Sequence, residues 1–278
     1  MSFVLFIIAV DYAPCNPDGS LDCKKVEQLI RPGTKLLVMT HASNVVGTIL
    51  PIKDCFTIAK KHDIITVLDA AQTAGYLPID MQDMQIDVLA FTGHKGLLGL
   101  AGIGGFIAKT EIADRIKPLL SGGTGSFSEN EFQPDILPDK FESGTRNTLG
   151  IVSLHASMEY LNEIGHSALQ ERGKQQFEHF VGGLQKLPVT IYGTQNAMNS
   201  VPVISIGVPA ASCDLGEISH RLFQEFAIVT RSGLHCAPLA HKTIGSYPEG
   251  TIRFSFGYDT SIEELDMILS ALSSILEK

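Results

Sequence analysis

The chain has no tryptophan and only 7% aromatic residues, and five cysteines are spread over its 278 residues. Those cysteines, Cys15, Cys23, Cys55, Cys213 and Cys236, are odd in number, widely scattered and without any C-x-x-C spacing. That pattern excludes a disulfide scaffold and fits a reduced, cytoplasmic protein. Positive charge is scarce as well: Lys and Arg total 21 against 30 Asp and Glu, a formal net charge of −9. So acidic a chain gains nothing from counterion release on nucleic acid. Its longest basic runs are the pairs Lys24-Lys25 and Lys60-Lys61. Long apolar runs are missing too. The stretch from Phe3 to Val10 is less than half of the roughly 20 residues a spanning helix needs. No basic segment precedes it and Asp11-Tyr12 follow it, so it does not read as a signal peptide either. Metal-ligand spacing is confined to His235-Cys236 with His241, short of the four ligands of a zinc site, and no metal is expected.

What is present is a globular composition, 44% hydrophobic and 18% charged, in a chain long enough for a substantial core. The first half alternates strands with helices. Strands are expected at Phe3 to Val10, Lys35 to Thr40, Ile64 to Asp69, Val88 to Thr92 and Gly104 to Ala108, with helices at Ser20 to Ile30 and Ile52 to His62. Such alternation predicts a mostly parallel sheet covered on both faces. Ser121 to Asn147, rich in glycine and polar residues, reads as a long loop, and loops of that length in compact domains are usually functional or disordered. Helices follow at Leu149 to Gly165 and Gly173 to Lys186. Strands at Val189 to Tyr192, Val201 to Ile206 and Ile228 to Thr230 surround a helix at Asp214 to Phe226. A strand at Thr251 to Phe256 and a helix at Ile262 to Leu276 end the pattern. The expected division is a large domain over 1–145 and a smaller α+β domain over 146–278.

Ligands of an open parallel sheet sit beyond the carboxyl ends of its strands. Three such ends carry Thr40-His41-Ala42-Ser43-Asn44, Asp69-Ala70-Ala71-Gln72 and Thr92-Gly93-His94-Lys95. Each has an ordinary explanation alone: an Asp there is commonly a helix cap and a Lys a solvated surface residue. Pyridoxal phosphate uses all of them together. It needs an amine to attach to, a carboxylate for its pyridine nitrogen, a donor to its phenolic oxygen and polar groups around its phosphate.

Six motifs in order, Ser43 to Thr48 (SNVVGT), Asp69 to Gln72 (DAAQ), Thr92 to Lys95 (TGHK), Phe141 to Asn147 (FESGTRN), Arg231 to Ala237 (RSGLHCA) and Ile252 to Ser255 (IRFS), resemble the class V aminotransferase family of fold-type-I pyridoxal phosphate enzymes. The cysteine desulfurase and selenocysteine lyase branch is the nearest match. The resemblance implies that Lys95 is the Schiff-base lysine, Asp69 the partner of the pyridine nitrogen and Gln72 the donor to the phenolic oxygen. Thr92 and His94 match phosphate ligands, and Asn44 a residue beside ring and substrate. Thr145 matches a residue reaching the cofactor of the neighbouring subunit in a homodimer. Arg253 matches the arginine that grips the substrate carboxylate, a task suited to a planar guanidinium. Cys236, 253 − 236 = 17 residues before it, matches the persulfide-forming nucleophile. Its neighbours Arg231, Gly233 and His235 suggest an exposed electropositive loop. The other four cysteines, and His155, His166, His179 and His220, read as structural.

The implied activity converts L-cysteine to L-alanine and leaves a persulfide for an acceptor protein. Another class V reaction (transamination, selenocysteine cleavage, β-elimination or epimerisation) remains open at this point. The family carries roughly 100 further residues before the point matched by Met1, about a small domain's worth. The resemblance therefore implies an N-terminally truncated large domain, and an inactive chain is a further alternative.

Overall fold

A computed structural model describes residues 8–127, 129–208 and 214–277. The first sheet holds β1 (Leu36–Thr40), β2 (Ile65–Asp69), β3 (Val88–Thr92) and β4 (Gly104–Ala108), in that order. The first three run parallel, with Thr40 beside Asp69 and Asp69 beside Ala90. This register brings the three polar strand ends to one edge. The fourth strand is antiparallel because its connection from β3, residues 93–103, holds no helix to carry the chain across the sheet.

Two helices cover this sheet. Asp22 caps α1 (Cys23–Leu29) by accepting the Lys24 N–H, so that helix starts later than its apolar spacing suggested. The next, α2 (Ile52–Lys60), buries Ile52, Cys55, Phe56 and Ala59, an i, i+3, i+4, i+7 stripe, against Leu68, Ile86 and Leu89. Short α3 (Thr110–Ala113) follows β4. The segment between α3 and residue 147 has only a single 3-10 turn, Asp139–Phe141, among its described residues.

A second sheet has the order β5 (Thr190–Tyr192), β6 (Val203–Gly207), β8 (Thr251–Ser255), β7 (Arg231–Gly233), all antiparallel. Before it come α4 (Thr148–Ile164), capped by Asn147, and α5 (His166–Leu184). Only Gly165, at φ 83°, separates them, so α5 begins seven residues earlier than Gly173. Helices α5, α6 (Leu215–Phe226) and α8 (Ile262–Leu276) bury Phe180, Leu184, Leu222 and Leu272 against Ile204, Ile206 and Ile252 of this sheet. Ser261 and Glu264 form a reciprocal capping box on α8. The strand expected at 228–230 lies instead at 231–233. Ile228 donates its N–H to Leu222 O and closes the C-terminus of α6, and pairing with β8 begins only at Arg231. Short α7 (Pro238–Ile244), with Pro at its first turn, was not expected. Of the strand expected at Phe3 to Val10, residues 3–7 lie outside the described ones and 8–10 are not in a strand. Cys213 is also outside the described residues. Among them, no helix is long and apolar enough to cross a membrane.

The end of the first sheet remote from the polar edge is tied by one buried carboxylate. Asp87 accepts hydrogen bonds from Lys60, from Lys109 at 3.0 Å and from the Thr66 N–H at 2.9 Å. Burial pushes its carboxyl up, but the bonds from Lys60, Thr66 and Lys109 outweigh it and hold it below the usual carboxylate range. Asp87→Asn is expected to cost about 1–3 kcal/mol in urea unfolding at pH 7, since charge-assisted bonds to a buried group are lost. Because the folded carboxyl is held low, its contribution is full above about pH 4 and disappears as pH falls through the folded value. The wild type and Asp87→Asn curves therefore converge in acid.

Candidate functional site

Segment 43–49, beyond β1, is where the first sheet meets the second. The Ser43 hydroxyl accepts the Val45 and Val46 N–H groups at 3.2 Å, which folds the turn. Gly47 sits at φ 71°, and a Cβ there would lie 2.5 Å from Val203 O and 2.7 Å from Val201 O. Only glycine allows this approach. Across it, Val201 donates its N–H to Gly47 O and Ile49 donates to Asn199 O, both at 2.9 Å. The Asn44 side chain donates to His235 O at 2.8 Å, and Arg253 Nη1 donates to Asn44 O at 2.9 Å.

The Gln72 and Lys95 turns are locked to each other by backbone contact. A Cβ on Gly96 would stand 2.6 Å from Ala74 O. Lys95 itself lies on a tight turn closed by Leu98 N–H to Lys95 O at 2.8 Å and Gly99 N–H to Gly93 O at 2.7 Å. From the second sheet, Arg231 and Arg253 stand directly opposite each other on β7 and β8. Arg231 Nη2 donates to Cys236 Sγ at 3.2 Å.

His235 and Cys236 are consecutive non-glycine residues in the left-handed region, at φ 49° and 61°. Such conformations persist only where surroundings impose them. Here the His235 carbonyl is held by Asn44, and its buried ring is held through Nε2 to Thr251 Oγ1 at 2.9 Å. The Thr251 hydroxyl donates onward to Ser205 Oγ, which donates to Val45 O at 2.6 Å. With the Thr251 proton committed, the imidazole must donate from Nε2, and Nδ1 carries no proton. Burial first, then Arg253, His241 and Arg231, push His235 down to about 4. At neutral pH it is an uncharged tether.

These parts enclose a cavity of about 520 Å³, a size suited to a small ligand or cofactor. Asn44, Gln72, Lys95, Cys236 and Arg253 all line it. Three cations, Lys95, Arg231 and Arg253, face it, and no carboxylate does among the described residues. Arg253 Nε is buried without a hydrogen-bond partner. Burial, then the Arg231 charge, lowers its affinity for its proton. The remaining sequence candidates do not line the cavity. Asp69 is exposed at the end of β2, accepting the Ala71 N–H at 2.9 Å. Thr92 Oγ1 and His94 Nδ1 bond to each other at 3.0 Å. Thr145 is exposed just before the α4 cap. No cluster of three or more His, Cys, Asp or Glu side chains able to hold a metal occurs among the described residues.

The family model described as aminotransferase class V matches residues 8–268. The chain belongs to the class V aminotransferase family. Among its relatives, a probable cysteine desulfurase of Pyrococcus abyssi is 31% identical over 274 residues, covering 97% of this chain and 66% of that protein. A cysteine desulfurase of Escherichia coli strain SE11 is 32% identical over 269 residues, covering 94% and 63%. Among solved structures, the apo cysteine desulfurase of Thermococcus onnurineus NA1 superposes with a TM-score of 0.84 at 31% identity, covering 96% of this chain and 66% of that one. The Escherichia coli cysteine desulfurase CsdA in its S-sulfonic acid form gives 0.85 at 26%, covering 95% and 65%. The chain thus spans slightly under two thirds of the length of several class V relatives it matches.

Sequence reasoning did not place Tyr76 or the pairing of Arg231 with Arg253 in this site. Tyr76 lines the cavity, burial pushes its phenol up to about 12, and its ring packs on Gly173 in the middle of α5. The mid-helix glycine was the available signal. The arginine pairing is a cross-strand register, which a lone sequence does not carry.

His41 and His235 are both buried and pushed down to about 4, His41 by burial alone. The unfolded chain therefore binds more protons between about pH 4 and 6.5, and stability must fall as pH drops through that window. Each histidine contributes a slope of up to about 1.4 kcal/mol per pH unit. Urea midpoints measured from pH 7 to 4 should decline accordingly, and His235→Asn should flatten the decline.

Proposed function

We propose that this chain is a pyridoxal phosphate-dependent cysteine desulfurase that converts L-cysteine to L-alanine and takes the sulfur on Cys236. The observation that carries the proposal is the set of three cations around one cavity in a chain of net charge −9, with a thiol among them. Such a site is built for an anionic ligand. The orphaned, buried Nε of Arg253 fits a carboxylate gripped by two guanidinium edges. Lys95, whose ammonium has no ion pair among the described residues, and Gln72 and Asn44 fit the cofactor's edge of the cavity. Asp69, Thr92 and His94 would complete its binding from the adjoining strand ends. The bound cofactor supplies an electron sink for the substrate α-carbon.

The chain's own part in the reaction is sulfur transfer. Arg253 holds the substrate carboxylate, which fixes the thiol end of the amino acid toward Cys236. The Cys236 thiolate attacks the substrate sulfur. An S–S bond forms, the substrate C–S bond breaks, and the electron pair left on the β-carbon takes up a proton to give the alanine methyl. Arg231 Nη2, already on Cys236 Sγ, offsets the negative charge of that sulfur before transfer.

Residues 1–145 form the cofactor-binding unit and 146–278 the smaller unit in this reading. A boundary there falls just before the Asn147 cap, and each sheet is drawn wholly from one side of it. The working form is a cytoplasmic homodimer with Thr145 directed to the neighbouring cofactor. Exposed Leu119, Leu120, Leu149 and Val152 near that segment support a covered surface. A sulfur-acceptor protein would then relieve Cys236 of its persulfide.

The test is alanine release from L-cysteine with the cofactor added, together with mass spectrometry for persulfide on Cys236. Cys236→Ser should keep the cofactor's visible absorbance and lose alanine production. Lys95→Ala should lose both. Arg253→Ala should weaken substrate binding by about 2–5 kcal/mol, read as a raised KM. Full alanine production by Cys236→Ser would overturn the assignment.

A further inference from the structure

Two cysteines that do not line the cavity have their sulfurs in contact. Cys55 lies in the middle of α2, fully buried, and Cys23 opens α1, half-buried. Cys55 Sγ donates to Cys23 Sγ at 2.8 Å, and Cys23 Sγ donates to Pro51 O at 3.9 Å. Bonded disulfide sulfurs stand about 2.05 Å apart, so less than about 1 Å of approach separates this thiol pair from a cross-link. We propose that Cys23 and Cys55 are a site of reversible oxidative modification, which a peroxide-class oxidant closes to a disulfide joining α1 to α2. The proposal is independent of the desulfurase reading, since neither residue lines the cavity.

The two sulfurs have different parts. Burial, then the neighbouring Cys23, pushes the Cys55 thiol far up, so Cys55 rests protonated and shielded. Cys23 is the sulfur that an oxidant reaches. Peroxide transfers one oxygen to Cys23, giving a sulfenic acid and one water. Cys55 Sγ, whose proton already points at Cys23 Sγ, then attacks that sulfur. The S–S bond forms, the S–O bond breaks, and the departing hydroxyl takes the Cys55 proton to leave as a second water. Two thiols are oxidised and one peroxide is reduced. The cross-link spans 55 − 23 = 32 positions and encloses segment 43–49, which joins the two sheets. Oxidation therefore stiffens the stretch that carries Asn44, and a thiol reductant reverses it.

The experiment treats the full chain with hydrogen peroxide, alkylates remaining thiols and maps peptides without reduction. A Cys23–Cys55 linked peptide, two hydrogens lighter than its parts and released by dithiothreitol, is expected. The oxidised protein should melt about 5 °C or more higher than the reduced one, and Cys23→Ser should abolish that rise. Cys55→Ala serves as a second variant, in which Cys23 should proceed to sulfinic acid for want of a partner. Recovery of both cysteines as alkylated thiols, or Cys23 linked to a different cysteine, overturns the proposal.

Discussion

The turn at 43–49 is the interaction on which the rest of the structure depends. Its main chain is bonded to residues 199 and 201, its Val45 carbonyl to Ser205, its Asn44 carbonyl to Arg253 and its Asn44 side chain to His235. A hub made of main-chain atoms has little freedom. Each partner is specified in direction as well as distance, because carbonyl and amide groups are fixed to the peptide plane. The same bonds that hold the two sheets together therefore fix the cavity between them.

Charge is handled differently at the two ends of the first sheet. At one end, two lysines converge on the buried carboxylate of Asp87 and neutralise it. At the other, Lys95 and, from the second sheet, Arg231 and Arg253 face the cavity, with no carboxylate lining it among the described residues. The first arrangement is satisfied and serves stability. The second leaves Arg253 Nε buried and unbonded while its Nη1 is held by Asn44 O, and an unsatisfied polar group at that depth is costly. The contrast separates a carboxylate whose charge is met inside the fold from a cavity lined by cations drawn from both sheets.

The loop that carries Cys236 is the strained part of the site. Two left-handed non-glycine residues in succession are held by a relay that starts at the His235 ring and ends on the 43–49 turn. The neutral imidazole is the piece that makes this work, since a charged ring at that depth would meet Arg253 and Arg231. Cys236 is left exposed toward the cavity while its neighbour is locked in the core.

Residue types and their order determined most of the local elements and the polar strand ends, because strand alternation, capping residues and apolar spacing act over a few residues; α7 and the place of β7 were not among them. Asn44, Gln72 and Lys95 were legible as one group for that reason: each follows a strand of a parallel sheet, whose ends must align. Cys236 and Arg253 were legible through motifs in register. The sequence did not determine that β4 runs antiparallel, that the strand at 231–233 places Arg231 opposite Arg253, or that Tyr76 packs on Gly173. Nor did it reveal that Cys23 and Cys55, 32 positions apart, have their sulfurs in contact. Those are products of register and of helix placement, in which residues distant in the chain meet because their backbones are already fixed by other contacts. Only the tertiary structure decides them.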